Sequence, residues 1–428
     1  MAKYVSIGRL GAYWRLYLFA LPAAALVAVF AYFPAASAIY HAFFRWNGSY
    51  VKEFVGLYNF HQLLGWSPFL WLVMVLWVVL MMALLVGRPL WLAAPAPWGL
   101  IGLVAALGLA LFAAGTESTL LHMDAGQAWD WYGRALWATV LGVVVHRVFG
   151  KDWSQMVQGI FVLYGFLWFF YQSMYATGDQ VLWSGFGVIF ILVLANLVKM
   201  IPSIATAVFI HRLESDRWQY LYRVLFVVPM IVPAMVGLLV WKSFFDPTQG
   251  ILNRILIGSG FLDVLVWIDG LIGWGVFHAG TNPSWLGDAS LVIPSLIFWG
   301  FPWVGTVGVL IYLTGLAGID ESVYEAADIA GASSLQKFFY IEFPLILTQV
   351  RINLVLMIIG TLQTYGQILI LLGDSGGPRG VALVPGLYMF RSAFVELYAG
   401  KACAIGLIVF FFILILTEIN NRFVRVDK

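Results

Sequence analysis

The stretch "DESVYEAADIAGASSLQKFFYIEFP", Asp320 to Pro344, is polar and carefully punctuated, yet it lies between two long apolar runs. Ser322 with Glu325 three residues later has the spacing of a capping box, and Ser333 with Gln336 repeats it. Gly331 stands between them, where left-handed backbone would end the first helix. The stretch therefore predicts helix, glycine turn, helix. Pro344 can then open the next span, because a proline in the first turn costs no helical hydrogen bond. Ala326, Ala327 and Ala330 give the first helix a small-residue face that lets another backbone come close. Spacing alone leaves two readings open: an amphipathic helix resting on a membrane surface, or a docking element for a soluble partner.

The surrounding composition decides the class. Of 428 residues, 62% are hydrophobic and only 10% charged, against about 25% charged in a soluble domain. An all-α polytopic membrane protein is the class that fits. A net charge of +2 with no basic patch gives no support for nucleic acid as a partner. The single cysteine, Cys403, excludes an intramolecular disulfide and a cysteine zinc site, and its apolar surroundings read as packing. No cluster of metal-ligating residues is evident.

About 20 apolar residues cross a bilayer, and ten such runs are present: 15–40, 67–87, 92–113, 132–148, 154–176, 181–210, 222–244, 291–314, 344–372 and 396–418. With both termini cytoplasmic, Arg9, Arg88, Arg147, Lys151, Arg212, Arg217 and Arg425 fall inside, and Glu117, Asp179, Asp246 and Asp288 outside. Arg45, Lys52, Arg379 and Arg391 run against this rule. The run at 132–148 is the weakest, but without it the downstream basic loops would face the wrong side. "AASA" (Ala35–Ala38) resembles a signal-peptide cleavage site, but the apolar run before it is longer than such peptides use, so it is read as a retained span.

Polar groups within spans turn away from lipid, which cannot satisfy them. Asn196, Gln363, Thr364, Tyr365 and Gln367 fit that description, either lining a pathway or bonding helix to helix. Lys199 faces water or a carbonyl inside the bundle, or else snorkels to the interface. Lys401 reads as interfacial.

Glu325-Ala326-Ala327, three residues, Gly331, nine residues, Ile341, one residue, Phe343-Pro344 resembles the EAA motif of type I ABC importer permeases, EAA-x3-G-x9-I-x-L-P. Phe343 replaces the usual Leu, and Ala330 stands where Asp commonly precedes the Gly, with Asp328 two positions earlier. "YFPAASAIYHAFFRWNG" (Tyr32–Gly48), "FVGLYNFHQLL" (Phe54–Leu64), Tyr222–Leu256 and "SGGPRGVALVPGLYMFRSAF" (Ser375–Phe394) resemble stretches of the MalF-like carbohydrate permeases. The likeness covers about 10–66 and 180–425.

This resemblance implies a type I importer core of six spans, built from 1–66 and 179–428, with an inserted block of about four helices at 67–178. It implies a sugar-pathway subunit with no enzymatic activity, in which Glu325, Ala326, Ala327, Asp328, Gly331, Ile341 and Pro344 couple to an ATPase. It implies as partners a second, MalG-like permease, two ATP-binding cassette subunits, an extracytoplasmic sugar-binding protein and membrane lipid. The chain lacks G-x4-G-K-[ST], so it binds no cofactor of its own by that route, and ATP would be used by the partner ATPase. The rivals are a permease of the same class for an amino acid or phosphate, a secondary transporter, or a membrane glycosyltransferase. Paired intramembrane carboxylates or inverted repeats would favour a secondary transporter, clustered carboxylates at a membrane face the transferase, and none is evident.

Overall fold

The computed structural model describes residues 14–50, 52–65, 171, 174–175 and 177–423. The expected spans at 67–87, 92–113 and 132–148, most of 154–176, and with them nearly all of the inserted block lie outside the described residues.

The described residues form helices joined by short turns, plus one antiparallel strand pair, Phe44–Trp46 with Lys52–Phe54, in which Phe44 faces Phe54 and Trp46 faces Lys52. Three helices are long and apolar enough to cross a membrane: Leu18–His41, Gln180–His211 and Ala399–Glu418. They match the expected spans 15–40, 181–210 and 396–418. Counting each sharply bent helix pair as one span gives up to seven among the described residues, so the count of ten is not reached there.

Three expected spans are broken rather than continuous. The run 222–244 divides into Asp216–Val227 and Ala234–Phe244, bent by 86°. Pro229 and Pro233 lie at the break, where each removes a backbone donor and crowds the preceding turn. The run 291–314 divides into Ala289–Phe298 and Thr306–Leu316, separated by a non-helical passage in which Gly300 and Trp303 take left-handed φ values of +81° and +61°. The run 344–372 gives Leu347–Leu362 and Gly366–Leu372, interrupted at Gln363–Tyr365. Irregular backbone at membrane depth is tolerated where it lines a cavity or is buried in protein.

The long helix Gln180–His211 organises the bundle. Its first half packs Leu182, Trp183, Phe186, Ile189 and Leu192 against Leu296, Leu362, Ile368, Leu387 and Ile405. Its last third packs Met200, Ile204, Ala207 and Ile210 against Val309, Tyr312, Leu316 and Ile346. In lipid such contacts act through close packing rather than exclusion of water. Residues 193–199, with Asn196 and Lys199 among them, separate the two buried clusters.

Asp179 caps the start of this helix, its Oδ1 accepting from the Val181 and Leu182 amides at 3.0 and 3.1 Å. Its other oxygen accepts from Lys401 Nζ at 2.9 Å and from the Tyr388 hydroxyl at 2.7 Å. Lys401 is thus an ion-paired tie between the long helix and the helix Ala399–Phe423. At the same end, the Leu63 carbonyl accepts from the Asp179 amide at 3.2 Å and the Trp183 indole at 2.9 Å. A Cβ on Gly65 would meet the Thr177 carbonyl carbon at 2.5 Å. The chain therefore leaves and re-enters the described core at one spot. Cys403 packs half-buried against the first cluster, as expected.

Candidate functional site

The loop at the His211 end is built from its caps inward. Asp320, not Ser322, is the N-cap of Glu321–Ile329: its Oδ1 accepts from the Ser322 amide at 2.9 Å. The carboxylate two residues earlier takes the role read for the serine, and Ser322 already lies in the first helical turn. The Ser322 side chain and amide hold the Asp320 carboxyl below the usual carboxylate range. At the far end Gly331 has φ +72°. The Ala332 amide donates to Ala327 O and the Gly331 amide to Asp328 O, both at 2.9 Å, the paired bonds of a Schellman stop. The second capping box forms as expected. Ser333 Oγ accepts from the Gln336 amide, and Gln336 Oε1 accepts from the Ser333 amide.

The motif residues fall into two groups. Glu325, Ala326, Asp328 and Gly331 are exposed on one short capped helix and its turn, and Ala327 is buried on the inner side. Asp328 pairs with Lys337 across the turn, so the early acidic residue braces the loop. Ile341 and Pro344 lie beyond, in the π turn Phe338–Glu342 and the one-turn helix Phe343–Leu345. Pro344 does not begin the next long helix, which starts at Leu347 after a 68° bend. Around the motif, Ile329, Leu335, Phe339 and Tyr340 are 89%, 71%, 61% and 80% exposed.

Beneath the motif helix lies a charged latch that sequence reading missed. Glu342 is fully buried and accepts from Arg212 Nε at 3.0 Å and Nη2 at 2.8 Å. Arg212 Nη2 also donates to Ser334 O at 2.9 Å. The Tyr324 hydroxyl donates to Glu342 Oε1 at 3.4 Å and contacts His211 Nε2 at 3.2 Å. Burial and the Glu342 charge push the Tyr324 phenol up to about 12, so it stays a donor at any physiological pH. The available signal was a lone carboxylate inside the apolar run "FFYIEFPLI", since a buried charge demands a partner.

A second site occupies the gap between the two buried clusters. A cavity of about 270 Å³ is lined by Asn196, Lys199, Trp299, Thr361, Thr364 and Gln367, closed by apolar groups including Leu192, Met357 and Ile368. It opens where two helices break. Asn196 Nδ2 donates to Thr361 Oγ1 at 2.9 Å, and Thr361 donates on to Met357 O at 2.7 Å. A Cβ on Gly386 would meet Thr364 O at 2.7 Å, so the helix Pro385–Phe394 presses directly on the interruption. Of the six polar residues expected, four line the cavity. Gln363 points away, exposed, and Tyr365 instead stacks on Phe390 at 5.8 Å. Trp299 and Thr361 were not foreseen. Among the described residues no group of three or more His, Cys, Asp or Glu could hold a metal.

No family model matches the chain. A probable ABC transporter permease, YesP of Bacillus subtilis (strain 168), is 28% identical over 232 residues, 54% of this chain and 68% of that one. The lactose transport system permease LacF of Rhizobium radiobacter is 29% identical over 178 residues, 42% and 54%. The diacetylchitobiose uptake system permease NgcF of Streptomyces coelicolor is 28% identical over 190 residues, 44% and 48%.

The chain is similar to carbohydrate ABC transporter permeases. The matches to these three span between 48% and 68% of those proteins' lengths. A bacterial alginate ABC transporter solved with an alginate pentasaccharide-bound periplasmic protein is 17% identical over 69% of this chain and 96% of that chain, with a TM-score of 0.46. The named relatives are transport-system permeases, and this chain's own three to seven candidate spans among the described residues make it a multi-pass membrane protein.

Proposed function

We propose that the permease forms half of the translocation pathway of an ATP-driven sugar importer and is driven through the loop 320–344. The observation that carries this reading is the latch. Through Tyr324, Glu342 and Arg212, a force on the exposed motif helix reaches the end of the helix Gln180–His211, whose other contacts line the cavity. The exposed Glu325, Ala326 and Ile329 would seat in an ATPase subunit, a role fitting a helix that is capped at both ends yet apolar at its tip.

Two ATP-binding subunits would supply the energy, a second permease the other half of the pathway, and an extracytoplasmic binding protein the sugar. The loop and both termini would be cytoplasmic. Shifting a two-state equilibrium from 1:99 to 99:1 takes about 5.5 kcal/mol of differential binding, and the loop is the element placed to transmit much of it. Asn196, Lys199, Thr364 and Gln367 would face the moving sugar, with Gln363 and Tyr365 at the edge of its path. An inserted block with an even number of crossings suits an entry and exit that touch at Gly65 and Thr177.

The test is co-purification from detergent with genomically neighbouring subunits, comparing wild type with Glu325→Lys. Recovery of an ATPase by wild type and its loss from the variant is the expected result. No ATPase with wild type, under conditions that preserve a known importer, overturns the reading.

A further inference from the structure

We propose that the cavity between the two buried clusters recognises an anionic saccharide, the Lys199 ammonium meeting its negative charge. The inference rests on the sugar-permease reading above and adds the charge class of the solute.

Among the described residues Lys199 has one hydrogen-bond partner, the Leu296 carbonyl at 3.5 Å. That is longer than the roughly 2.7–2.9 Å of a charge-assisted bond to a carboxylate, and a carbonyl neutralises nothing. Four other partly buried cations among the described residues are ion-paired: Lys401 with Asp179, Arg212 with Glu342, Lys337 with Asp328 and Arg391 with Glu396. Lys199 lies twelve residues from the His211 end, roughly 18 Å at about 1.5 Å per residue, beyond what a four-carbon stem reaches by snorkelling. An unneutralised ammonium at membrane depth is costly and marks a functional position.

The rest of the wall points the same way. The Trp299 indole N–H is buried and has no acceptor. Among the described residues Thr364 and Gln367 make no side-chain hydrogen bond, so each keeps a donor and an acceptor, while Asn196 spends an N–H on Thr361 and keeps its Oδ1. No carboxylate lines the cavity among the described residues. A neutral sugar presents hydroxyls that donate as well as accept, and a site for it needs strong acceptors. This wall offers a positive charge and a buried indole N–H without an acceptor, with no carboxylate among the described residues to oppose them, which suits a carboxylate, sulfate or phosphate on a sugar ring. A larger cavity of about 340 Å³ at the Asp179 end includes Arg45 and Lys401, but those cations already face Glu53 and Asp179.

The test is ATP-driven uptake by the full transporter, reconstituted in proteoliposomes with its genomic partners. The probes are trigalacturonate, glucose 6-sulfate and glucose 6-phosphate, each beside its uncharged counterpart. The expected result is uptake of at least one charged member. Lys199→Gln should then lower the ratio of charged to uncharged uptake at least tenfold, mainly through a raised KM. Lys199→Arg should restore most of the ratio, and Lys52→Gln, in the strand pair and outside the cavity lining, should not change it. Uptake of uncharged sugars alone, or a ratio indifferent to Lys199→Gln in a variant that elutes as wild type does, overturns the charge assignment and leaves the sugar reading standing. No ATP-driven uptake of any sugar overturns the sugar reading itself.

Discussion

Arg212 grips Glu342 with both Nε and Nη2, at 3.0 and 2.8 Å, and so ties the end of the helix Gln180–His211 to the second half of the motif loop. Glu342 is fully buried while Arg212 remains about one-third exposed. Removing one partner of such a pair leaves an uncompensated charge and costs about 3–5 kcal/mol, whereas replacing both by apolar groups is often close to neutral. Arg212→Met or Glu342→Met alone should therefore lower the unfolding midpoint in detergent sharply, and the double variant should recover much of the loss. Independent, additive losses would show that the pair is not the tie described here.

The latch also makes a prediction about coupling. If the double variant folds, its two helices are packed but no longer charge-locked. ATP hydrolysis should then persist with several-fold less solute moved per ATP. Unchanged stoichiometry would place force transmission elsewhere.

Gly331 holds φ +72° at the helix stop, and nothing lies within 4 Å of a Cβ built there. Space is available, so Gly331→Ala should fail by backbone strain alone, at about 1 kcal/mol. Gly331→Asn, which tolerates left-handed backbone better, should recover more ATPase than Gly331→Ala in the same pull-down. Equal recovery would mean the Schellman stop is not needed for docking.

The Asp320 cap titrates in a definite direction. Hydrogen bonds in the folded loop depress its pKa below the unfolded value, so its contribution is present above about pH 4 and is lost as the pH falls through the folded value. Asp320→Asn keeps a side-chain acceptor but no charge. Its loop stability, followed by hydrogen exchange at Val323–Ala330, should be flat across that acid window while the wild type declines.

Much of this was legible in the residues because the signals were local. Gly331 and the Ser333–Gln336 box lie within a turn of what they stabilise, and the three unbroken spans are long runs of strong hydropathy. The failures were of another kind. Hydropathy averages over a window, so "GFPWVG" (Gly300–Gly305) and "QTYG" (Gln363–Gly366) vanished into spans 291–314 and 344–372, although their glycines, proline and polar groups marked the breaks. Ser322 was read as the cap, but Asp320 is an equally good cap residue and only backbone geometry separates the two. Arg212 and Glu342 are 130 residues apart in sequence, and no periodicity reports such a contact. The Lys401–Asp179 pair went unread for the same reason, its partners being 222 residues apart in sequence.

The most direct measurement is a cross-link at the motif helix. Cys403 is the only native cysteine, so Ala326→Cys in a Cys403→Ser background gives one exposed thiol on the proposed docking face. A thiol-to-amine cross-linker applied to membranes containing the partner subunits should join Ala326→Cys to an ATP-binding subunit. Ser259→Cys, in the segment assigned to the outer side, should give no such adduct. An ATPase adduct from Ser259→Cys, or none from Ala326→Cys in a transport-competent complex, would contradict the account.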